Sequence, residues 1–318
     1  MSRGFETAAV IGTGMMGPGI ALTLAFGGVR SAIISRNAES AEKGLKSARA
    51  ALAMLESHEL VDAAQAAAAI ALISASDRFE AAVAAADLAI ESAPEDMAFK
   101  QDLFARMDAI AKPDAVLASN TSGLSITAIA SKCQRPERVL TTHFWNPPHL
   151  MPLVEIVKGA KTSNDVALAV RDLLADCGKT PVIVNKDTPG QLGNRLQMAL
   201  VREAVNIVEQ GIADVEAVDL AAKAGFGLRL PAYGIFEHQD IVGLDMACAI
   251  TDYVAADLYS ERRAPELMRQ HVRDGNLGAK SGKGFYDWSV KSADGVKARR
   301  DAWLVHVLRA RKNGDVKT

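Results

Sequence analysis

Residues 8–26 read AAVIGTGMMGPGIALTLAF, and this stretch decides how the first half of the chain folds. The apolar run Ala8–Ile11 is typical of a buried strand, and a helical pattern runs from about Gly17 to Phe26. Between them lies a glycine motif that permits a tight turn at Gly12, backbone approach to a pyrophosphate at Gly14 and close helix–strand packing at Gly17. The helix N-terminus adds free N–H groups and a positive dipole, so the stretch predicts a dinucleotide-binding site. The candidate cofactor contacts are Gly12, Gly14, Met15, Met16 and Gly17.

Short apolar runs alternate with helical patterns over the first 188 residues. Such alternation is typical of a mainly parallel sheet with helices on both faces. Together with the glycine motif it predicts an α/β fold of the Rossmann type, a doubly wound sheet whose ligand lies at the carboxyl ends of the strands. The predicted strands are Ala8–Ile11, Ser31–Ile34, Leu88–Glu91, Ala115–Ser119, Val139–Phe144, Leu153–Val157 and Pro181–Val184.

The connection after the second strand is too long for a single crossover helix. Residues 38–70 are rich in alanine and leucine and fit a helical hairpin projecting from the sheet, with Ser57–Leu60 near its tip. After Thr188-Pro189-Gly190 the strand patterns give way to long helical ones, which predicts a domain boundary. We expect a dinucleotide-binding domain at 1–188 and an all-helical substrate domain at 189–318. The apolar stripes of the helical domain are more than one small bundle buries alone, which favours a homodimer.

The composition excludes several classes of protein. Of the 318 residues 49% are hydrophobic and 23% are charged, with a formal net charge of −2, as in a globular chain. No basic stripe favours nucleic acid as a partner. No apolar run is long enough to cross a bilayer and no signal-peptide pattern is present, so we expect a cytoplasmic protein with no membrane partner. The three cysteines are far apart and lack metal-ligand spacing, and no metal is expected.

The end of the second predicted strand bears on the choice of dinucleotide. It reads Ile33-Ile34-Ser35-Arg36-Asn37, where an acid usually holds the ribose hydroxyls of NAD. Ser35 offers a hydroxyl and Arg36 a guanidinium, which suit the 2′-phosphate of NADP. The pair therefore favours NADP, and Glu39 close by in the sequence leaves NAD open.

Residues with catalytic chemistry follow the later strands. Ser122 comes just after one strand, His143 ends the next, and Glu155 lies within the strand after that, across a short Pro-bent turn. Oxidising a secondary alcohol requires a base for the hydroxyl proton, a role suited to imidazole. We expect His143 as that base, Glu155 as the acid that orients it, and Ser122 as a hydrogen-bond partner of the reacting oxygen. A lone histidine near a strand end is more often structural, so the interpretation depends on all three residues together with the glycine motif.

Several longer motifs are also present: Asn-Thr-Ser at 120, His-Phe-Trp-Asn-Pro at 143, Lys-Asp-Thr-Pro-Gly at 186, Gly-Ile-Phe-Glu at 234 and Asp-Ile-Val-Gly-Leu-Asp at 240. With them, residues 6–287 resemble the L-3-hydroxyacyl-CoA dehydrogenase family. The resemblance implies hydride transfer between a 3-hydroxyacyl-CoA and a nicotinamide dinucleotide, with His143 as base, Glu155 as its partner and Ser122 on the substrate oxygen. It adds Asn194 as a further active-site polar group. It also implies that Glu95, Lys100, Asn146 and Lys280 lie along the cofactor, although Glu95 and Lys100 alone would indicate solvated helix residues.

Two departures concern the acyl carrier. Family members that bind coenzyme A use Ser and Lys of the helical hairpin, whereas this chain has Ala48 and Leu55 at the aligned positions and no Lys or Arg between Ala50 and Asp77. The segment GFGLRL at 225–230 is similar to one in relatives that oxidise free hydroxy acids such as gulonate or carnitine. Arg229 is thus a candidate for binding a substrate carboxylate, with a structural arginine equally open. The alternatives are therefore a dehydrogenase of a free hydroxy acid and, more remotely, a non-catalytic crystallin-like protein.

Overall fold

The computed structural model describes residues 4–315. The chain forms two compact units: the first runs as far as Arg195 and includes Leu304–Lys312, and the second is Leu196–Trp303. The predicted domain boundary at 188–189 therefore falls in the loop that closes the first unit. The outermost residues of the two predicted domains, 1–3 and 316–318, lie outside the described residues.

An eight-stranded sheet forms the centre of the first unit. Its strands are β1 (Thr7–Ile11), β2 (Arg30–Ile34), β3 (Ile73–Ser76), β4 (Leu88–Glu91), β5 (Val116–Ser119), β6 (Val139–Phe144), β7 (Leu153–Lys158) and β8 (Thr180–Val184). They lie in the order β3-β2-β1-β4-β5-β6-β7-β8, and every neighbouring pair is parallel except β6 with β7. This confirms the predicted doubly wound, mainly parallel sheet.

β3 is missing from the predicted strands. Its four residues, Ile-Ser-Ala-Ser, contain only two apolar side chains, too few to show a strand period. The strand forms because β2 offers it an open edge, with Ile73 opposite Ser31 and Ser76 opposite Ile34. Pairing with β2 therefore forms this edge strand, which the local sequence pattern does not predict.

Helices cover both faces of the sheet. In the first unit they are α1 (Gly17–Phe26), α2 (Ala38–Ser57), α3 (Ala63–Ala71), α4 (Phe79–Ala85), α5 (Met97–Ile110), α6 (Ile126–Ile129) and α7 (Asn164–Asp176). Asn37 starts α2 by accepting a hydrogen bond from the amide of Ser40, and Asp62 starts α3 in a capping box with Gln65. These caps separate α2 from α3, which form the predicted helical hairpin.

The remaining helices are α8 (Gly193–Glu209), α9 (Val215–Ala224), α10 (Phe226–Arg229), α11 (Ile235–Val242), α12 (Leu244–Ala255), α13 (Glu266–Arg273) and α14 (Ala293–Lys312). They make the second unit helical, as predicted, although α8 begins and α14 ends in the first unit. Large apolar side chains on α11 and α12 are exposed, among them Phe236 at 84% and Tyr253 at 86%. Among residues 4–315 no helix combines the length and the apolar character needed to cross a bilayer.

The last turns of α14 belong to the core of the first unit. Val305 is 5% exposed and lies in the same apolar cluster as Leu52 and Leu55 of α2. Arg309 donates to the carbonyl of His58, and Lys312 donates to those of Glu59 and Leu60, at the tip of the hairpin. These bonds satisfy carbonyls at the end of α2 that no helical amide reaches.

The glycine motif lies between β1 and α1, where the strand order reverses and doubly wound sheets bind ligands. Gly12 has φ +125°, and a Cβ on Gly17 would lie 1.9 Å from the carbonyl oxygen of Gly12. A Cβ on Gly14, in contrast, would meet nothing within 4 Å. This open space adjoins the first turn of α1, which has no side-chain cap. Open space beside uncapped N–H groups fits a dinucleotide pyrophosphate.

Gly17 and Gly14 offer a matched pair of substitutions. Gly17→Ala should destabilise the apoprotein by about 2 kcal/mol, because the new methyl group forces α1 away from β1. Gly14→Ala should change stability by less than about 0.5 kcal/mol. Urea unfolding of the apoproteins measures both. Equal stability of the two variants would contradict the backbone contact between strand and helix.

Candidate active site

The carboxyl ends of β4, β5 and β6 meet at one edge of the sheet, because Glu91 lies opposite Ser119 and Ser119 lies opposite Thr141. A cavity of about 290 Å³ opens at this edge and is lined entirely by residues of the first unit. Six residues named from the sequence line it: Met16, Glu95, Ser122, His143, Asn146 and Asn194. Parallel strand ends therefore gather side chains that are far apart in the sequence.

His143 and Glu155 are directly opposite each other on the antiparallel strands β6 and β7. Side chains in such a register lie on the same face of the sheet. The Nδ1 atom of His143 is 2.7 Å from Oε2 of Glu155, and the two residues are 6% and 0% exposed. The arrangement holds the imidazole in one orientation at the wall of the cavity.

Three further donors reach the carboxylate of Glu155. The amides of Leu192 and Gly193, at the start of α8, donate to Oε1 at 2.9 and 2.8 Å. The indole N–H of Trp145 donates to Oε2 at 3.0 Å. Burial alone would raise the pKa of Glu155, but the bonds from His143, Gly193, Trp145 and Leu192 outweigh it and lower this pKa to about 2. Glu155 is therefore a carboxylate at neutral pH, and it accepts a hydrogen bond from the N–H at Nδ1 of His143. The unprotonated nitrogen, Nε2, is then free to act as a base.

Ser122 is held at the cavity by Glu95. The carboxylate of Glu95 accepts three hydrogen bonds: from the amide of Ser122 at 2.7 Å, from the hydroxyl of Ser122 at 3.2 Å and from the hydroxyl of Thr121 at 2.8 Å. Burial acts to raise the pKa of Glu95, but these bonds and the charge of Lys100 lower it overall. The side chain of Asn194 donates to the carbonyl of Ser122 at 3.0 Å, so the loop is fixed from two sides.

Lys100 lies behind this loop and does not line the cavity. It is 1% exposed, so it is not a solvated helix residue. Its ammonium group is 2.5 Å from Oε1 of the fully buried Glu91 and 3.5 Å from Oε2 of Glu95. The hydroxyl of Ser119 donates to the other oxygen of Glu91 at 2.6 Å. A cofactor contact by Lys100 stays a prediction, whereas its support of Glu95 is visible in the structure.

The other candidate cofactor residues are dispersed. Met15 is 77% exposed beside the glycine motif, and Ser35 and Arg36 follow the end of β2, with Arg36 exposed. Lys280 lies in a 3₁₀ turn, Ala279–Ser281, of the second unit. Arg229 ends α10 in the same unit, with Nη2 3.4 Å from Nε2 of His238 and its guanidinium over the ring of Tyr233. In the described part of the chain no group of three or more His, Cys, Asp or Glu residues is placed to hold a metal ion.

Two hydrogen bonds that position loops near the cavity were not evident from the sequence. The side chain of Asn120 accepts a hydrogen bond from the amide of Phe144 at 2.9 Å, which connects the end of β5 to the end of β6. Gln191 donates to the carbonyl of Thr121 at 3.0 Å and is 5% exposed, so the loop before α8 is held against the Ser122 loop. Both residues lie within recognised motifs or beside them, but only the fold shows what their amides contact.

Comparisons with known proteins cover most of the chain. Residues 7–188 match the model of the 3-hydroxyacyl-CoA dehydrogenase NAD binding domain, and residues 190–288 match that of the C-terminal domain of the same family. The chain is 39% identical over 285 residues to a probable 3-hydroxybutyryl-CoA dehydrogenase of Bacillus subtilis, a match covering 89% of this chain and 98% of that protein.

A second relative is similar over a longer stretch. The chain is 34% identical over 304 residues to a 5-formyl-3-hydroxy-2-methylpyridine 4-carboxylate 5-dehydrogenase of Mesorhizobium japonicum. This match covers 95% of this chain and 96% of that protein. A solved structure of an enzyme of that name, described as an NAD⁺ dependent dismutase, matches with a TM-score of 0.88 and 32% identity over 99% of both chains. The likeness to this structure thus extends to the C-terminal helix.

The buried position of Lys100 can be tested by substitution. Lys100→Met should destabilise the apoprotein by about 3 kcal/mol, because it leaves the carboxylate of Glu91 buried without its cation. The double variant Glu91→Leu/Lys100→Met should recover much of that loss. Urea unfolding measures both, with Lys132→Met as control, since the exposed pair of Lys132 with Asp102 contributes less than about 1 kcal/mol. A Lys100→Met protein of unchanged stability but weakened NADH binding would instead make Lys100 a cofactor contact.

Proposed function

The chain belongs to the 3-hydroxyacyl-CoA dehydrogenase family, and on that premise we propose that it oxidises a hydroxyl group of a hydroxyacyl substrate, with His143 as general base and NAD as hydride acceptor. The observation that carries the proposal is the buried hydrogen bond between Nδ1 of His143 and Glu155 at the wall of the cavity. It presents an imidazole with a fixed tautomer beside the residues that bind the reacting oxygen.

His143 takes the hydroxyl proton at Nε2, and hydride leaves the carbon that carries this hydroxyl, so that a carbonyl group forms. The imidazolium that forms is stabilised by Glu155, which stays ionised because four donors already hold its charge. In the reverse direction the imidazolium returns the proton to the developing alkoxide. A positioned acid–base group of this kind contributes about 10² to 10⁴ in rate.

Ser122 and Asn194 orient the substrate. The hydroxyl of Ser122 needs only to rotate away from Glu95 to donate to the reacting oxygen, because its backbone stays fixed by the amide bond to the same carboxylate. Asn194 holds the Ser122 loop and also lines the cavity. Both groups help to stabilise the negative charge that develops on oxygen.

The cofactor site is built from the glycine motif. The start of α1 would bind the pyrophosphate, and Ser35 and Arg36 would lie along the adenosine ribose. Bound NAD supplies the nicotinamide ring that accepts the hydride. The family model and the dismutase relative support NAD. We propose in addition that Arg36, with no acid beside it at the end of β2, lets the site accept the 2′-phosphate of NADP.

The helical hairpin supports a free acid rather than a coenzyme A thioester as the substrate. Ala48 and Leu55, which the family resemblance puts in place of coenzyme A contacts, are 0% and 4% exposed and face the apolar core. The cations that reach the hairpin tip, Arg309 and Lys312, donate to backbone carbonyls. Coenzyme A carries several phosphate charges that need cations. The hairpin's own cations, Lys43, Lys46 and Arg49, all lie on α2, and it has none between residues 50 and 77.

Arg229 is the proposed partner of the substrate carboxylate. Its guanidinium is exposed, and its described contacts are to His238 and Tyr233 rather than to a carboxylate. The Mesorhizobium japonicum relative, whose name specifies a carboxylate-bearing pyridine, supports this choice because it aligns along nearly all of the chain. A 3-hydroxyacyl-CoA is the second candidate, favoured by the Bacillus subtilis relative.

We also propose that the protein is a homodimer through its helical unit. The exposed apolar side chains of α11 and α12 include Phe236, Ile241, Leu244 and Tyr253, all at least 64% exposed. A monomer rarely leaves so many large apolar groups in water. A second copy of the chain would cover them. The cytoplasmic location expected from the sequence stays a prediction.

Replacing His143 by Gln should lower kcat by about 10² to 10⁴-fold, because the variant has no base for the hydroxyl proton. The dissociation constant for NADH should stay within twofold, since the glycine motif is unchanged. Steady-state kinetics and NADH fluorescence titration measure the two quantities. An unimpaired variant would remove His143 from the mechanism. A wild-type protein that binds NADH tightly but turns over no hydroxy acid or thioester would support the crystallin-like alternative.

The substrate and the dinucleotide can be settled by crossing 3-hydroxybutyrate and 3-hydroxybutyryl-CoA with NAD and NADP. We expect turnover of the free acid, and Arg229→Ala should raise its KM by about tenfold or more through loss of a charge-assisted bond. Ser35→Asp should lower the use of NADP relative to NAD. Strict dependence on the thioester, with no effect of Arg229→Ala, would favour the coenzyme A substrate. Wild-type kcat/KM values with NADP far below those with NAD would contradict the role given to Arg36.

A further inference from the structure

Trp145 occupies a special position beside the proposed base. Its indole N–H donates to Oε2 of Glu155 at 3.0 Å, and Nδ1 of His143 is 2.7 Å from the same oxygen. The imidazole and indole rings lie 5.7 Å apart, centre to centre. Two ring donors therefore share one carboxylate oxygen, and both draw on its negative charge.

The start of α8 fixes the indole in this place. A Cβ built on Gly193 would lie 2.5 Å from Cζ2 of Trp145, so the glycine allows the helix backbone to lie against the ring. The amide of the same glycine donates to Oε1 of Glu155. The start of α8 thus donates a hydrogen bond to the carboxylate of Glu155 and also packs against the indole of Trp145.

Resting on the proposed function, we propose that Trp145 is a positioning residue that sets how strongly Glu155 holds the imidazole of His143. A hydrogen bond from the indole withdraws negative charge from Oε2. The carboxylate then stabilises the imidazolium less than it would with His143 as its sole ring donor.

Other ionisable groups near the pair are few. β6 carries His143 as its only titratable residue, β7 carries Lys158 at its far end besides Glu155, and β8 carries none. Arg195 at the start of α8 is exposed. In the loop before α8, Asp187 is bound by Ser125 and Thr127. Across the cavity the ionisable group is Glu95. Lys186, next to Asp187, is exposed, and Lys179 donates to the carbonyls of Pro148 and Met151. A substitution of Trp145 leaves all of these groups in place.

The test is Trp145→Phe, which keeps a ring against Gly193 and removes the N–H. In the pH profile of kcat/KM, the acid limb should shift to higher pH by about 0.5 to 1 unit, because Glu155 then holds the imidazolium more strongly. The thermal midpoint and the NADH dissociation constant should stay close to wild type. Trp303→Phe, a change on the exposed side of α14, serves as the control and should leave the pH profile unchanged.

Proton NMR of the histidine ring signals provides a readout that does not depend on turnover. The chain has six histidines, and His143→Gln identifies the signal of His143. That signal should titrate at higher pH in Trp145→Phe than in wild type. A purely structural role for Trp145 would lower stability and leave both the titration and the acid limb in place.

Superimposable titrations of wild type and Trp145→Phe would overturn the proposal, as would an equal shift in Trp303→Phe. Failure of the proposed function has a different signature, namely full activity of His143→Gln. In that case the NMR titration still decides whether the indole governs the imidazole.

Discussion

The carboxylate of Glu155 lies inside the sheet, and its charge has to be satisfied by donors from separate parts of the chain. His143 supplies one from β6, Trp145 one from the following loop, and Leu192 and Gly193 supply two from the start of α8. An ionised carboxylate without such partners would be far too costly to bury. The requirement therefore joins β6, β7 and α8 at one point, and that point lies at the wall of the cavity where the chemistry is proposed.

A second buried charge organises the opposite wall. Glu91 and Lys100 are both almost fully buried and form an ion pair behind the Ser122 loop, and Lys100 also approaches Glu95. Glu95 in turn holds the amide and the hydroxyl of Ser122. The two carboxylate systems have a common logic. In each, a buried carboxylate is held by several donors. Some of these donors line the cavity, as His143 does, and others support a residue that lines it, as Lys100 supports Glu95.

The substrate question depends on a region away from this cavity. The helical hairpin has an apolar inner face, and the last turns of α14 return to the first unit to pack against it and to bond its tip. The chain belongs to the 3-hydroxyacyl-CoA dehydrogenase family, and the free-acid substrate proposed for it depends on this apolar hairpin. Family membership therefore indicates the reaction, oxidation of a hydroxyl group, but it does not show whether the substrate carries coenzyme A.

Local sequence patterns were enough to predict the doubly wound sheet, the glycine turn at Gly12–Gly17 and the helical second half, because each depends on periodicity and turn chemistry within a short stretch. They also brought His143 and Glu155 to adjacent strands, since a short turn joins β6 to β7. Tertiary structure alone decided the short edge strand β3, the burial of Lys100, the donors from α8 to Glu155 and the return of α14 to the hairpin. These features join residues that are far apart in the chain, and they form because buried charges and open strand edges must find partners, which no local pattern specifies.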